Sequence, residues 1–180
     1  MTSVAYITAL IIGVFAVWST KASALTYQPQ AQPQHKAELT AEPFIDPLDK
    51  YRNAKKLGKK DLIQLLRAVG FEGSSLRTAW AVAMKESGGR PIAHNDNHHT
   101  GDNSYGLFQI NMMGDLGYLR REKFSLGSNK ELFDPVTNAQ VAYYMTAKGT
   151  NWGSWGYGPD AYDGDAAEPK ITFWKSQFPN

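Results

Sequence analysis

The chain has 180 residues, a formal net charge of +2 at neutral pH and no cysteine. That length allows one packed domain with extensions, and the near-neutral charge excludes a dedicated nucleic-acid surface, which needs a concentrated basic patch. Disulfides and thiolate metal sites are excluded outright, whereas the compartment is left open.

The first predicted element is the apolar run Val4–Trp18, VAYITALIIGVFAVW. It is short for a membrane span and suits the core of an export leader, with Ala22-Ser23-Ala24 as a small-x-small cleavage site. Its leading end has no Lys or Arg, so an uncleaved anchor holding residues 4–18 in the membrane is the alternative, and a buried core helix the third. Residues 1–24 are accordingly read as signal peptide or anchor. Residues 25–50 are read as a flexible linker, because their Pro- and Gln-rich composition has too few apolar groups to fold. Residues 51–180 are assigned to the folded domain. At its start, Lys50, Arg52, Lys55, Lys56, Lys59 and Lys60 form either a contact face for anionic wall polymers and lipid headgroups or an ordinary solvated face.

Asp61 is placed to cap a helix over residues 62–69, where Leu62, Leu65, Leu66 and Val69 share one face before Gly70. After a turn at Phe71–Gly73, Ser74 or Ser75 is the cap of a second helix. Its stripe is Leu76, Ala79, Trp80, Ala83 and Met84, and it stops at Gly88-Gly89 with Pro91 beyond. Joined by so short a turn, the two helices should pack antiparallel. The last turn of the second carries Glu86, at the end of a helix where the dipole does not favour an anion. Most such residues are simply solvated. Held against apolar neighbours instead, a carboxyl group favours its neutral form and can donate a proton near neutral pH.

The polar stretch 92–103 reads as a loop containing His94, Asp96, His98, His99 and Asp102. The spacing matches no familiar metal signature, and adjacent His98 and His99 point apart, so neither metal nor cofactor is expected. Ser104-Tyr105-Gly106-Leu107-Phe108-Gln109-Ile110-Asn111 follows. Its Ser, Gln and Asn suit hydrogen bonding to a polar ligand, its Tyr offers a stacking face, and Gly106 permits close backbone approach. The same run alternates like a short strand with Leu107 buried and Phe108 packing. Residues 112–128 read as a Gly-rich excursion with a short helical piece at Arg120 and Arg121. Asp134-Pro135 opens a helix over 136–148, stopped by Gly149. Trp152 and Trp155 flank a cleft or close the core, and Phe173, Trp174 and Phe178 pack back onto the domain.

Glu86-Ser87 at a helix end with Pro91 close behind, followed by Gly106-Leu107-Phe108-Gln109-Ile110, resembles the lysozyme-like fold of goose-type lysozymes and soluble lytic transglycosylases, especially versions carried by bacteriophages or secreted by bacteria. Asn138 to Met145, with Tyr144, resembles that family's third motif. The resemblance covers about Leu57–Tyr157, with Phe108 standing in a Met position. At its end, Ala161-Tyr162-Asp163-Gly164 matches only in part, whereas Asn151–Tyr157 is similar to the Trp-x-x-Trp ending of phage domains, which makes Tyr157 rather than Tyr162 the counterpart of a site tyrosine.

The resemblance implies a single, mainly α-helical domain with at most a small β element. It implies cleavage of the β-1,4 bond between N-acetylmuramic acid and N-acetylglucosamine in peptidoglycan glycan strands, with Glu86 as general acid. Ser104, Tyr105, Gly106, Gln109 and Ile110 would line the sugar cleft, joined by Asn111, and Tyr144 would help hold Glu86. An inverting hydrolase also needs a second carboxylate roughly 6.5–9.5 Å from the first, for which Asp96, Asp102 and Asp115 are candidates. A lytic transglycosylase needs none, since the substrate's own hydroxyl attacks. Such a protein would be secreted, periplasmic, membrane-anchored or carried on a virion. The alternatives are a non-enzymatic wall-binding or virion structural protein that keeps the fold, and a chitin-type glycanase.

Overall fold

The structure, a computed structural model, describes residues 46–161 and 167–179. The expected leader, the linker up to residue 45 and Tyr162 lie outside the described residues. The packed unit reaches back into the stretch read as linker, where Leu48 is buried beside the domain's own Tyr51. Arg52, from the basic stretch, pairs with Asp46, Asp49 and Asp134 at 3.1–3.8 Å.

Helix α1 (Lys59–Val69) buries Leu62, Leu65 and Leu66 and ends at Gly70. It starts before the expected cap: Gly58 is the N-cap and Asp61 sits in the first turn, where a carboxylate favours the positive end of the helix dipole. Helix α2 (Gly73–Ser87) is likewise capped earlier than expected, by Glu72 rather than by either serine. Ser75 instead reaches back, its Oγ accepting from the Glu72 N–H at 3.1 Å and donating to the Glu72 carbonyl at 2.8 Å. The apolar stripe of α2 is wider than its spacing indicates, because Thr78, Ala81 and Val82 are buried as well. A helix covered on nearly every side is a core helix. Gly88 and Gly89, at φ of 64° and 73°, turn the chain out of it.

Three short antiparallel strands follow in the order β1 (His94–Asn95), β2 (Ser104–Tyr105) and β3 (Ile110–Asn111). Tyr105 lies opposite both His94 and Ile110. The stretch expected to be loop therefore contributes an edge strand. Helix α3 (Gly114–Phe124) replaces the expected Gly-rich excursion with an element of 11 residues. Its glycines disguise it, and at Gly117 a Cβ would overlap the Met112 carbonyl, so packing demands the residue there. Helix α4 (Pro135–Met145) is capped by Asp134, which accepts from the Thr137 N–H at 3.1 Å. It ends three residues before the expected Lys148, since Ala147 and Lys148 adopt positive φ. Helix α5 (Glu168–Ser176) closes the core against α2, with the rings of Trp174 and Phe178 edge-on to fully buried Trp80 at 6.1 and 5.5 Å. Phe173 does not pack back with them and is mostly exposed. The result is a mainly α-helical domain with one small sheet.

Between β2 and β3 lies a turn, Gly106–Gln109, that is buried rather than solvated. Leu107 and Phe108 are both fully buried, worth about 1.5–3 kcal/mol each in apolar burial. A buried turn must find partners for its backbone polar groups. Three side chains from three different elements supply them. Asn138 of α4 donates to the Tyr105 and Leu132 carbonyls at 2.9 Å each and accepts from the Phe108 N–H at 2.9 Å. Ser87, at the end of α2, places its hydroxyl 2.8 Å from the Leu107 carbonyl. Trp155 donates from its indole to the Phe108 carbonyl at 2.8 Å. Gly106 lies at φ 76°, and any Cβ there would overlap the Leu132 carbonyl and the Asn138 amide.

Asn138→Ala removes three hydrogen bonds and leaves the buried Phe108 N–H without its partner, at about 1–3 kcal/mol for the orphaned donor and about 1 kcal/mol for each carbonyl bond lost. The expected loss of unfolding free energy in urea is therefore about 3 kcal/mol or more. A loss under about 1 kcal/mol would mean that the turn is held by something other than Asn138.

Candidate active site

The end of α2, the sheet, the middle of α3, the end of α4 and Ser154-Trp155 line a cavity of about 650 Å³. Glu86 enters it from the last turn of α2, with 18% of its side chain exposed. Ser87, the next residue, is the one bonded to the buried turn, so the backbone carrying Glu86 is fixed to the sheet that forms the opposite wall. Burial raises the Glu86 pKa above the ordinary carboxylate value, and the hydrogen bond and charge of Lys85 oppose the rise. Lys85 Nζ lies 2.7 Å from Glu86 Oε1. The negative charge of Asp102 adds to the rise and the positive charge of Lys170 subtracts from it, but burial prevails.

Asp102 lines the same cavity from the loop before β2, and its carboxylate accepts from the Ser104 hydroxyl at 3.1 Å. Asp96 and Asp115 do not line it. One wall thus holds a carboxyl group whose neutral form burial favours and another holds a braced carboxylate, residue types that general acid–base chemistry uses. Among the described residues, no three His, Asp or Glu side chains gather as a metal site requires.

The residues singled out in the sequence fall into two groups. Ser104, Gln109, Ile110 and Asn111 line the cavity with Glu86. Gln109, at φ 47°, is held in a conformation costing about 1 kcal/mol or more. Its amide N–H groups go to the Ala93 and Gly106 carbonyls at 3.1 and 2.9 Å, which leaves the side-chain oxygen for a ligand. Asn111 is committed too, bracing Gly101, Asn103 and Met113.

Tyr105, Gly106, Tyr144 and Tyr157 do not line the cavity. Tyr105 is buried against His94 and Phe133, with ring centroids 4.4 and 5.2 Å away. Gly106 serves the turn. Tyr144 is 59% exposed, stacks edge-on to Phe124 and lies under Lys123; it lines a separate recess that shares Arg120, Met145 and Ser154 with the cavity. The hydroxyl of Tyr157 is bonded by Lys175 of α5 at 2.6 Å.

Several cavity residues had no sequence signal of their own: Arg90, Asn95, Met145 and Ser154. Trp155 both lines the cavity and closes the core. Arg120 lies in the short helical piece read within residues 112–128. Its guanidinium donates to the Asn111 carbonyl, and burial lowers its pKa.

The family profile described as lysozyme like domain matches residues 63–157, more than half of the chain. The chain belongs to the lysozyme-like domain family. The matched range spans α1 through Trp155 and contains Glu86, the buried turn and α4. No curated protein and no solved structure matches the chain. Membership of this family points to action on peptidoglycan. Among the described residues no helix is long and apolar enough to cross a membrane, and residues 4–18 lie outside them.

Because the Glu86 pKa is raised on folding, its ionised form opposes the folded state. The penalty is absent below the ordinary carboxylate pKa and develops as pH climbs to the raised value. Glu86→Gln should therefore gain stability over the parent at pH 7 and lose that gain at pH 4, in urea unfolding at the two values. Lys85→Met should move the carboxyl titration of Glu86, followed by NMR, to higher pH. A downward move would contradict the assigned balance of burial and ion pairing.

Proposed function

We propose that the chain cleaves the β-1,4 bond between N-acetylmuramic acid and N-acetylglucosamine in peptidoglycan. The observation that carries this reading is a buried, pKa-raised Glu86 sharing one polar cavity with Asp102 in a lysozyme-like domain. Glu86 donates its proton to the glycosidic oxygen as the bond from that oxygen to the muramyl anomeric carbon breaks. Asp102 takes a proton from the water that attacks the same carbon, so the product carries a new reducing end. Ser104 orients Asp102, and the Gln109 side-chain oxygen is offered to a sugar hydroxyl or amide. Asn111 and Ile110 shape the wall. Met145 and Trp155 give the cleft apolar surface, and Tyr144 stands at its extension. Without a role for Asp102 the same acid would serve a lytic transglycosylase, in which the muramyl hydroxyl closes an anhydro ring.

Action on a wall polymer requires export. The apolar stretch at residues 4–18 is the segment proposed to provide it, as a cleaved leader or a retained anchor, with the Pro- and Gln-rich stretch that begins at residue 25 as spacer to the packed domain, which Leu48 already joins. Carriage on a virion would meet the same requirement.

The test is digestion of purified peptidoglycan by the full chain, with Glu86→Gln and Asp102→Asn beside it and products identified by mass spectrometry. The parent should release muropeptides with reducing ends, and each variant should lose about 10²-fold or more in rate, as loss of a general acid or base does. Anhydro products with an active Asp102→Asn would replace hydrolysis by transglycosylation. A folded parent that binds the wall without cutting it would leave a non-enzymatic wall-binding protein, and equal rates for parent and Glu86→Gln would remove Glu86 from the mechanism.

A further inference from the structure

Two guanidiniums line the cavity, Arg90, which is exposed, and Arg120, which is half-buried. A guanidinium removed from water normally has a carboxylate partner, yet this partly buried one forms no ion pair within 4.0 Å among the described residues. The acids that share its cavity, Glu86 and Asp102, have other partners in Lys85 and Ser104. Among the described residues only the Asn111 carbonyl is bonded to Arg120, and that neutral acceptor occupies one of five N–H donors.

Its position is as telling as its charge. Arg120 belongs to the wall that the polar cavity shares with the recess beside it, a space of about 330 Å³. Apolar side chains dominate that recess. Leu116, Leu119 and Tyr144 line it and are 42%, 58% and 59% exposed, and Met145 completes it at the junction. A cation at the edge of a small apolar recess fits a carboxylate flanked by methyl groups.

We propose that Arg120 is a specificity-determining residue that binds a carboxylate borne by the muramyl sugar, with Leu119, Tyr144 and Met145 receiving the methyl groups next to it. This rests on the peptidoglycan reading above. Two sources supply that chemistry: the lactyl group itself when no peptide is attached, and the first residues of the stem peptide when one is. A guanidinium meets either in a bidentate fork, which a lysine cannot reproduce. Chitin-type strands carry no such group, so Arg120 would separate the two polymers without touching the reacting bond.

The experiment measures binding, so that turnover does not enter. In the full chain carrying Glu86→Gln, with Arg120 intact or changed to Lys or Ala, titration calorimetry compares three soluble oligosaccharides of equal length. These are a chitooligosaccharide, a muramyl glycan stripped of its peptides and the same glycan bearing stems. With Arg120 intact, one or both carboxylate-bearing glycans should bind more tightly than the chitooligosaccharide, and the better of them names the source. Arg120→Ala should shrink that ratio of affinities by about 10- to 100-fold, the scale of one charge-assisted pair, and Arg120→Lys should restore part of it. A ratio unchanged by Arg120→Ala overturns the inference and leaves the peptidoglycan reading standing. So does a fall in all three affinities by the same factor, which would assign Arg120 to bracing the Asn111 carbonyl. If nothing binds and the parent does not cut peptidoglycan, both fall.

Discussion

The structure depends on a turn that is folded into its own core. Gly106–Gln109 buries Leu107 and Phe108 completely, and that burial is tolerable only because Asn138, Ser87 and Trp155 bond the backbone of the turn and its flanks. Those three residues come from α4, the end of α2 and the segment before α5. One set of hydrogen bonds therefore fixes the helix that carries Glu86, the hairpin that supplies Gln109 and Asn111, and the Trp155 wall. The cavity is formed as these elements meet at the turn, rather than by loops that happen to lie near one another. Such preorganisation is what proton transfer demands, since geometry limits it before pKa does.

The environment of Glu86 is a compromise between stability and reactivity. Burial favours the neutral acid, while Lys85, 2.7 Å away, favours the anion. A carboxyl group fully shielded from cations would hold its proton too firmly to give it up, and one fully solvated would have lost it already. The domain accepts the cost of a buried ionisable group at neutral pH, and it has a large apolar core to offset it: Trp80, Phe71, Phe108 and six or more leucines and isoleucines are fully buried. The unpaired Arg120 belongs to the same economy of charge, kept at the cavity wall where a ligand can complete it.

Much of this was legible in the residues. The helix pair, the Gly88-Gly89 stop, the class of fold and the stretch holding the cleft all followed from periodicity, glycine placement and two motifs in order. The family match at 63–157 falls within the span read as similar, Leu57–Tyr157. What escaped has physical causes. Helix α3 has polar and apolar residues on all faces and two glycines, so its period is blurred, and Gly117 is there for close packing rather than for a turn. The glycine at 106 reads as ligand approach in sequence, whereas it makes room for Asn138. Tyr144 lies one position from buried-side Tyr143, and a single step along a helix rotates a side chain by roughly 100°, enough to carry it from the core to the recess. The roles of Arg90, Met145 and Ser154 arise from long-range packing, which local patterns do not encode.

The central claim is that the cavity between α2 and the hairpin holds a glycan strand with its scissile oxygen at Glu86. The most direct measurement is a crystal structure of Glu86→Gln with a muramyl-containing tetrasaccharide bound. The account predicts the glycosidic oxygen within hydrogen-bond reach of the residue 86 side chain, roughly 2.6–3.2 Å, with sugars along Gln109 and Ser104. A glycan seated elsewhere, such as the surface groove of Ile92, Phe133 and Arg52, or one whose glycosidic oxygens all lie out of reach of residue 86, would contradict it.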